Sequence, residues 1–235
     1  MHLLIVSATA REIQPLLEHA GLTGQFPAGT LRQALLGGHT VDFLVTGVGI
    51  PLTLLHMGLA ARNGNPDLVI NAGLAGSFSE EYPPGTTALV VQEAFGDLGI
   101  ALKGVFHSLE VKGLNDPDLF PFRKGILDIP VPKTIDAWLP AKRLKGLTVN
   151  AVNAGIIDKS LTVYCYDPDL ETMEGAAVAL FCLQYSIPCV EIRTISNRTT
   201  EPDSRQWDIP GAIGKLNQVV ITLLDALTSI KQIKH

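Results

Sequence analysis

Residues 172–197, TMEGAAVALFCLQYSIPCVEIRTISN, place a helix, a break and a strand in immediate succession. Met173, Ala176, Ala177, Leu180 and Phe181 fall at i, i+3, i+4, i+7 and i+8, a single apolar stripe along one helix face. Ser186-Ile187-Pro188 ends that helix, because the residue before a proline is pushed out of helical geometry. Cys189 to Ile195 then reads as a strand returning to a sheet.

The same alternation extends outward in both directions. Leu3-Leu4-Ile5-Val6 is a continuous apolar run, as a strand buried on both faces requires, and Ser7 to Arg11 turns into a helix carrying Ile13, Leu16, Leu17 and Ala20. Thr30–Leu36 and Thr40–Thr46 read as a hairpin across Gly37-Gly38. Pro51–Arg62 reads as helix, Leu68-Val69-Ile70 as a strand ending at Asn71-Ala72-Gly73-Leu74-Ala75-Gly76, and Thr86–Val91 and Leu147–Val152 as further strands. Pro210–Ile230 is the final helix, covering a sheet face. Asp97–Lys145 has the weakest periodicity and many of the prolines, which suggests a loop-rich substrate lid. Strands alternating with helices, with no repeat and no composition shift, imply one layered α/β domain over 1–235.

The bulk numbers exclude several classes. With 46% hydrophobic and 17% charged residues the chain can bury one substantial core, and a net charge of −5 is wrong for phosphate-rich partners, so no nucleic acid is expected. The six histidines form no HxH or HExxH pattern, so neither a metal nor another cofactor is expected. The three cysteines lack CxxC spacing and read as reduced thiols of a cytoplasmic protein. Leu3–Val6 is too short for a signal-peptide core, and no apolar run approaches the ~20 residues of a membrane span.

Each candidate site residue has a bland alternative. Gly47-x-Gly49 begins like a dinucleotide fingerprint, but Leu52 stands at the third glycine position; a plain turn that lines a pocket at a strand end fits better. Asn71 to Gly76 has no lysine and is no phosphate loop. Glu174 could merely complement its helix N-terminus, worth ~0.3–1 kcal/mol, yet Gly175-Ala176-Ala177 leaves room for something to approach, and a carboxylate suits two vicinal hydroxyls. Arg193 lies in an apolar strand, where a buried guanidinium needs a partner; Glu12 or Glu191 can supply it. Glu12, in the loop after the first strand, is either a solvated helix-start residue or a general base.

In combination these residues resemble the nucleoside phosphorylase/nucleosidase superfamily. Met173-Glu174-Gly175-Ala176-Ala177 resembles its Met-Glu-x-x-Ala ribose motif, and Arg193-Thr194-Ile195-Ser196-Asn197 resembles the Arg-x-Ile-Ser-Asp strand of the methylthioadenosine/S-adenosylhomocysteine nucleosidases. Ser7-Ala8-x-x-x-Glu12 occupies the place of their catalytic glutamate loop. The stretch from Ile195 through Glu201-Pro202-Asp203, Arg205 and Trp207-Asp208-Ile209 is similar to the futalosine hydrolase branch, whose members release hypoxanthine from futalosine on the way to menaquinone. The chain departs from the adenine-specific pattern at Asn197, where those enzymes carry Asp, and at Leu74, where they carry a serine that helps hold water; Ser77 or backbone groups are the candidate substitutes.

The resemblance implies a three-layer αβα sandwich around a central mixed sheet, a small nucleoside as substrate, and a homo-oligomer, most simply a dimer. It assigns Glu12, Arg193 and Asn197 to catalysis, and Glu174 and Met173 to the ribose. Gly76, Gly49, Arg205 and Trp207 join them in substrate binding, with Arg198, Arg205 or Lys103 as cations for a 5′ carboxylate lying under Asp97–Leu109 or near Trp207. A different purine nucleosidase or phosphorylase, or a silent nucleoside sensor, remains the rival reading. The physics of Asn197 favours a 6-oxopurine: hypoxanthine presents O6 and N7, both acceptors, which an ionised Asp would repel and an amide can serve. Mispairing a buried polar edge costs ~1–3 kcal/mol, tenfold or more in discrimination.

Overall fold

The computed structural model describes residues 1–102, 105–109, 112–139, 141–152 and 166–233. A nine-stranded mixed sheet carries the fold, in the order β10-β9-β5-β11-β4-β1-β3-β2, with β2 (Thr30–Leu36) at one edge and the short β8 (Leu127–Asp128) on β5. The strands that matter for the site are β1 (His2–Ser7), β3 (His39–Val45), β4 (Leu68–Ser77), β5 (Thr87–Phe95), β9 (Lys142–Thr148), β10 (Leu170–Thr172) and β11 (Cys189–Arg198). β1 pairs in parallel with β3 and β4, and β4 in parallel with β11, so these four strands deliver their carboxyl ends to one edge of the sheet. β10 runs back antiparallel to the end of β4, Glu171 opposite Gly76. Because β10 also pairs with β9, β9 with β5 and β5 with β11, the strands β4, β11, β5, β9 and β10 close into a small ring.

Both sheet faces are covered, which explains the uninterrupted apolar strands. Leu3 and Ile5 pack with Leu216, Val220 and Leu223 of the last helix; Leu4 and Val6 point the other way, to Met57, Ala176 and Phe181. The first layer holds α1 (Gln14–His19) and α5 (Ile209–Ile233); the second holds α2 (Ile50–Ala60) and α4 (Gly175–Gln184). A four-residue α3 (Lys133–Asp136) lies in the connection before β9. The expected three-layer α/β fold is therefore the one observed. Among the described residues no helix is long and apolar enough to cross a membrane.

Four local readings change. Asn71 to Gly76 does not end the strand but continues β4, paired with β11 as far as Ser77, with β1 only as far as Asn71 and with β10 at Gly76 and Ser77. Its glycines mark close approach rather than bending: a Cβ on Gly73 would collide with the Arg193 guanidinium, and one on Gly76 would lie 3.3 Å from Asn197 Nδ2. β5 runs on to Phe95 because the polar pair Gln92-Glu93, which disguises a strand, is accommodated by pairing with β8 and β9. β9 begins at Lys142, where exposed Lys142 and Arg143 hide a strand that parallel pairing to β5 recruits, and it ends at Thr148 rather than Val152. Within the region read as loop-rich, Gly99–Leu102 and Val105–Ser108 form a two-stranded antiparallel ribbon, β6 and β7.

Candidate active site

The converging carboxyl ends of β1, β4 and β11, together with the loop leaving β10, enclose a cavity of about 310 Å³. Glu12, Gly76, Met173, Glu174, Asn197 and Trp207 all line it, although they come from five separate parts of the chain. The antiparallel course of β10 is what returns Met173 and Glu174 to the level of Gly73 and Arg193.

Glu12 is fixed in one orientation. Its Oε2 accepts from Thr9 N at 3.0 Å and Thr9 Oγ1 at 2.8 Å, and its Oε1 accepts from Leu74 N at 3.1 Å. The loop itself is pinned from the opposite layer: buried Asn217 on α5 donates to the Glu12 carbonyl at 2.7 Å and accepts from Leu16 N at 3.0 Å. Leu74 thus contributes through its peptide where a serine hydroxyl was missing. Ser77 does not substitute; its hydroxyl is buried and donates to Ser79 O at 2.8 Å.

Glu174 sits at the N-cap of α4 but makes no side-chain cap there. The α4 amides are served instead by threonines, Ala176 N donating to Thr148 Oγ1 at 2.7 Å and Gly175 N to Thr172 Oγ1 at 3.3 Å. Freed of capping, the carboxylate accepts from Gly49 N at 2.9 Å and lies 3.7 Å from the Arg193 guanidinium. Gly49 has φ 92° and ψ 161°, a conformation open essentially to glycine alone, so this N–H is aimed by a residue that could not readily be another. Burial pushes the Glu174 carboxyl up to about 7; Arg193 and the Gly49 N–H pull it down, while Glu12 and Glu191 push it further.

Arg193 lies behind the cavity wall, 1% exposed. Its Nε donates to Glu191 at 2.7 Å and its NH1 edge reaches the Leu74 carbonyl at 3.5 Å. Of the two candidate partners, Glu191 makes the direct ion pair. Burial works to lower the Arg193 pKa, but the surrounding charges of Glu191, Glu174 and Glu12 outweigh it and hold it above its ordinary value.

A β-bulge decides the Asn197 end. Ile195 pairs with Ala75 and Asn197 with Gly76, so Ser196 is extra, and consecutive side chains Ser196 and Asn197 both reach the cavity. Asn197 Nδ2 donates to Arg198 O at 2.9 Å and Oδ1 accepts from Ser196 Oγ at 2.8 Å. A carbonyl can only accept, so the amide orientation is set by its partners, with one N–H and one lone pair left over.

Other assignments move. Arg205 is exposed, grips Asp203 through two nitrogens and stands outside the cavity lining, so it is no wall residue of this site. Arg198 is committed to Glu80, and Lys103 lies outside the described residues. Among the described residues, Asp97–Leu109 supplies nothing to the lining; Trp207 does, with its Nε1 donating to Glu201 O at 3.3 Å. Sequence reasoning missed Glu171, buried and on the cavity wall three residues before Glu174, and Glu93, buried in β5. The signal for Glu93 was an acid set between the apolar runs Ala88–Val91 and Ala94-Phe95.

A family profile described as the phosphorylase superfamily matches residues 2–136. The chain belongs to that superfamily. Futalosine hydrolase of Acidothermus cellulolyticus is 29% identical over 228 residues, covering 94% of this chain and 89% of the relative. A 5′-methylthioadenosine/S-adenosylhomocysteine nucleosidase of Bacillus cereus is 26% identical, covering 88% and 90%. The same architecture is found in the solved structure of futalosine hydrolase from Helicobacter pylori, with a TM-score of 0.79 at 17% identity over 96% of this chain and 97% of that one. In the superfamily member described here, the family profile covers Glu12 and the Gly49 turn, while Glu174 and Asn197 lie beyond it and reach the site through the fold.

Proposed function

We propose that this protein hydrolyses the N-glycosidic bond of futalosine, releasing hypoxanthine and dehypoxanthine futalosine in the futalosine route to menaquinone. The observation that carries this reading is an amide, Asn197, facing the same cavity as two acids, Glu12 and Glu174. The curated relatives named futalosine hydrolase, at 28–29% identity over most of the chain, support it.

Glu174 accepts hydrogen bonds from the ribose 2′ and 3′ hydroxyls, with Met173 packed beneath the sugar, and its charge steadies an oxocarbenium-like centre. Glu12 takes a proton from water as the water oxygen bonds to C1′. The C1′–N9 electron pair leaves with the purine, which is protonated at N7 by a proton arriving through water. Asn197 then donates its spare N–H to O6 and accepts from N7–H. Base catalysis of this kind contributes about 10²–10⁴-fold. Arg193 acts from behind the wall: its NH1 edge holds the Leu74 carbonyl, and the Leu74 N–H on the next peptide edge holds Glu12.

Water is favoured over phosphate as nucleophile because Glu12, Glu171 and Glu174 line the cavity against Arg11 alone among described cations. Arg11, with Trp207, Ile209 and Ile213, marks the wall toward which a 5′ substituent bearing a carboxylate would run. The expected dimer would bury α2, which exposes Leu52, Leu55 and Leu59 in continuation of cavity-lining Val48. A partner there would cover the cavity mouth.

The test follows base release from futalosine, inosine and methylthioadenosine by chromatography, with and without phosphate. Phosphate-independent cleavage with futalosine preferred is expected. A rate that requires phosphate, or preference for methylthioadenosine, would overturn the reading.

A further inference from the structure

Behind the cavity wall, two carboxyl groups meet in the dry core. Glu93 on β5 and Glu191 on β11 are 0% and 2% exposed. Both crowd the place where a Cβ on Gly175 would sit, Glu191 Oε1 lying 2.6 Å from it and Glu93 Oε1 closer still. A Cβ on Gly146 would likewise run into Glu93. Two glycines on different elements therefore make room for this pair. Glu191 is held by Arg193 Nε through Oε1, whereas its Oε2 is buried with no hydrogen bond from the protein except what Glu93 or its register partner Asn71 can offer. Glu93 accepts from Thr148 Oγ1 at 2.8 Å and Thr172 Oγ1 at 3.1 Å, the same threonines that cap α4. Neither acid lines the cavity.

Charge balance decides the protonation. Glu191, Glu93 and Glu174 share one guanidinium, and adjacent carboxylates in a low-dielectric site cannot all be ionised. Burial raises the Glu191 carboxyl too, but the Arg193 guanidinium at 2.7 Å pulls it back, so of the two acids Glu191 is the one placed to carry the charge. Burial and the neighbouring Glu191 charge hold the Glu93 carboxyl well above the usual range, so its proton is available to the Glu191 carboxylate beside it, which the Asn71 amide can serve as well.

We propose that Glu191 is a positioning residue: charged, and braced by a neutral Glu93 that donates to it, it anchors Arg193 by Nε so that the NH1 edge faces Gly73, Leu74 and Glu174 instead of closing onto Glu12. Arg193 NH1 and Glu12 Oε1 both approach Gly73, and closing that gap to a direct ion pair would make Glu12 a weaker base. The inference rests on the nucleosidase reading above and concerns residues that touch no substrate.

The two isosteric amides separate the roles. Glu93→Gln keeps a donor toward Glu191 and should retain kcat within about threefold. Glu191→Gln removes the charge from Arg193 and should lower kcat by about tenfold or more with little change in KM, since the ribose and purine contacts are intact. Glu191→Asp, keeping charge on a shorter arm, should recover part of the loss. An infrared carboxylic-acid C=O band should persist in the wild type at about pH 8.5, above the Glu174 transition, and vanish in Glu93→Gln. That measurement needs only a folded wild type and one variant. Equal damage from both amides, a wild-type kcat in Glu191→Gln, or a band unchanged in Glu93→Gln would overturn the proposal. Absence of base release by the wild-type enzyme would instead sink the nucleosidase reading and leave the infrared result to judge the proton.

Discussion

Arg205 and Arg193 each donate through Nε to a carboxylate at nearly the same distance, 2.8 and 2.7 Å, yet their side chains are 88% and 1% exposed. At the rim, Arg205 with Asp203 and Arg198 with Glu80 sit in water, where such pairs contribute ~0–1 kcal/mol and are screened by salt. Behind the cavity, Arg193 is surrounded by Glu191, Glu93 and Glu174; their charges outweigh the burial of the guanidinium, but one cation does not offset the desolvation of three buried acids. A core of apolar residues would be at least as stable there. The buried cluster is explained by what it orients, and the rim pairs by solubility and local turn structure.

The contrast is broken most readily by removing each arginine. Arg193→Met should cost ~3–5 kcal/mol in denaturant unfolding, because it strands buried carboxylates without their cation. Arg205→Ala should stay within about 0.5 kcal/mol and leave turnover unchanged. Comparable losses at the two positions would erase the distinction.

A smaller effect is visible in pH. The folded-state pKa of Glu174, about 7, lies above the ordinary 4.5, so between those values the native state holds the proton more tightly than the unfolded chain. Stability from this group is therefore retained below 4.5 and lost as pH rises to about 7, by roughly 3 kcal/mol on the scale of 1.36 kcal/mol per pKa unit. Glu93 and Glu191, also raised, add with the same sign. The wild-type Tm should fall between about pH 5 and 8 more steeply than that of Glu174→Gln; parallel curves would remove Glu174 as a contributor.

How much of this was legible in the sequence follows from the range of the forces involved. The apolar runs of β1 and β11 and the α4 stripe announce themselves, because burial on both sheet faces is written into every residue. Glu12, Glu174 and Asn197 were readable as motifs, each a polar group at an element boundary. Glu93 was not, since its partners Thr148, Thr172 and Glu191 are 55, 79 and 98 residues away and only sheet closure brings them together. Asn217, which ties α5 to the Glu12 loop across 205 residues, was hidden for the same reason. Arg205 was misplaced because a local Asp203 outcompetes a distant substrate group for an exposed guanidinium. The bulge that aims Ser196 and Asn197 together leaves no mark in composition at all.

The most direct test identifies the base that wild-type enzyme and Asn197→Asp release from a mixture of futalosine and methylthioadenosine. If the Asn197 amide reads O6 and N7, the wild type yields hypoxanthine and the aspartate variant loses most of that activity, by at least about tenfold. Adenine as the wild-type product, with futalosine untouched, would contradict the assignment of this cavity to a 6-oxopurine nucleoside.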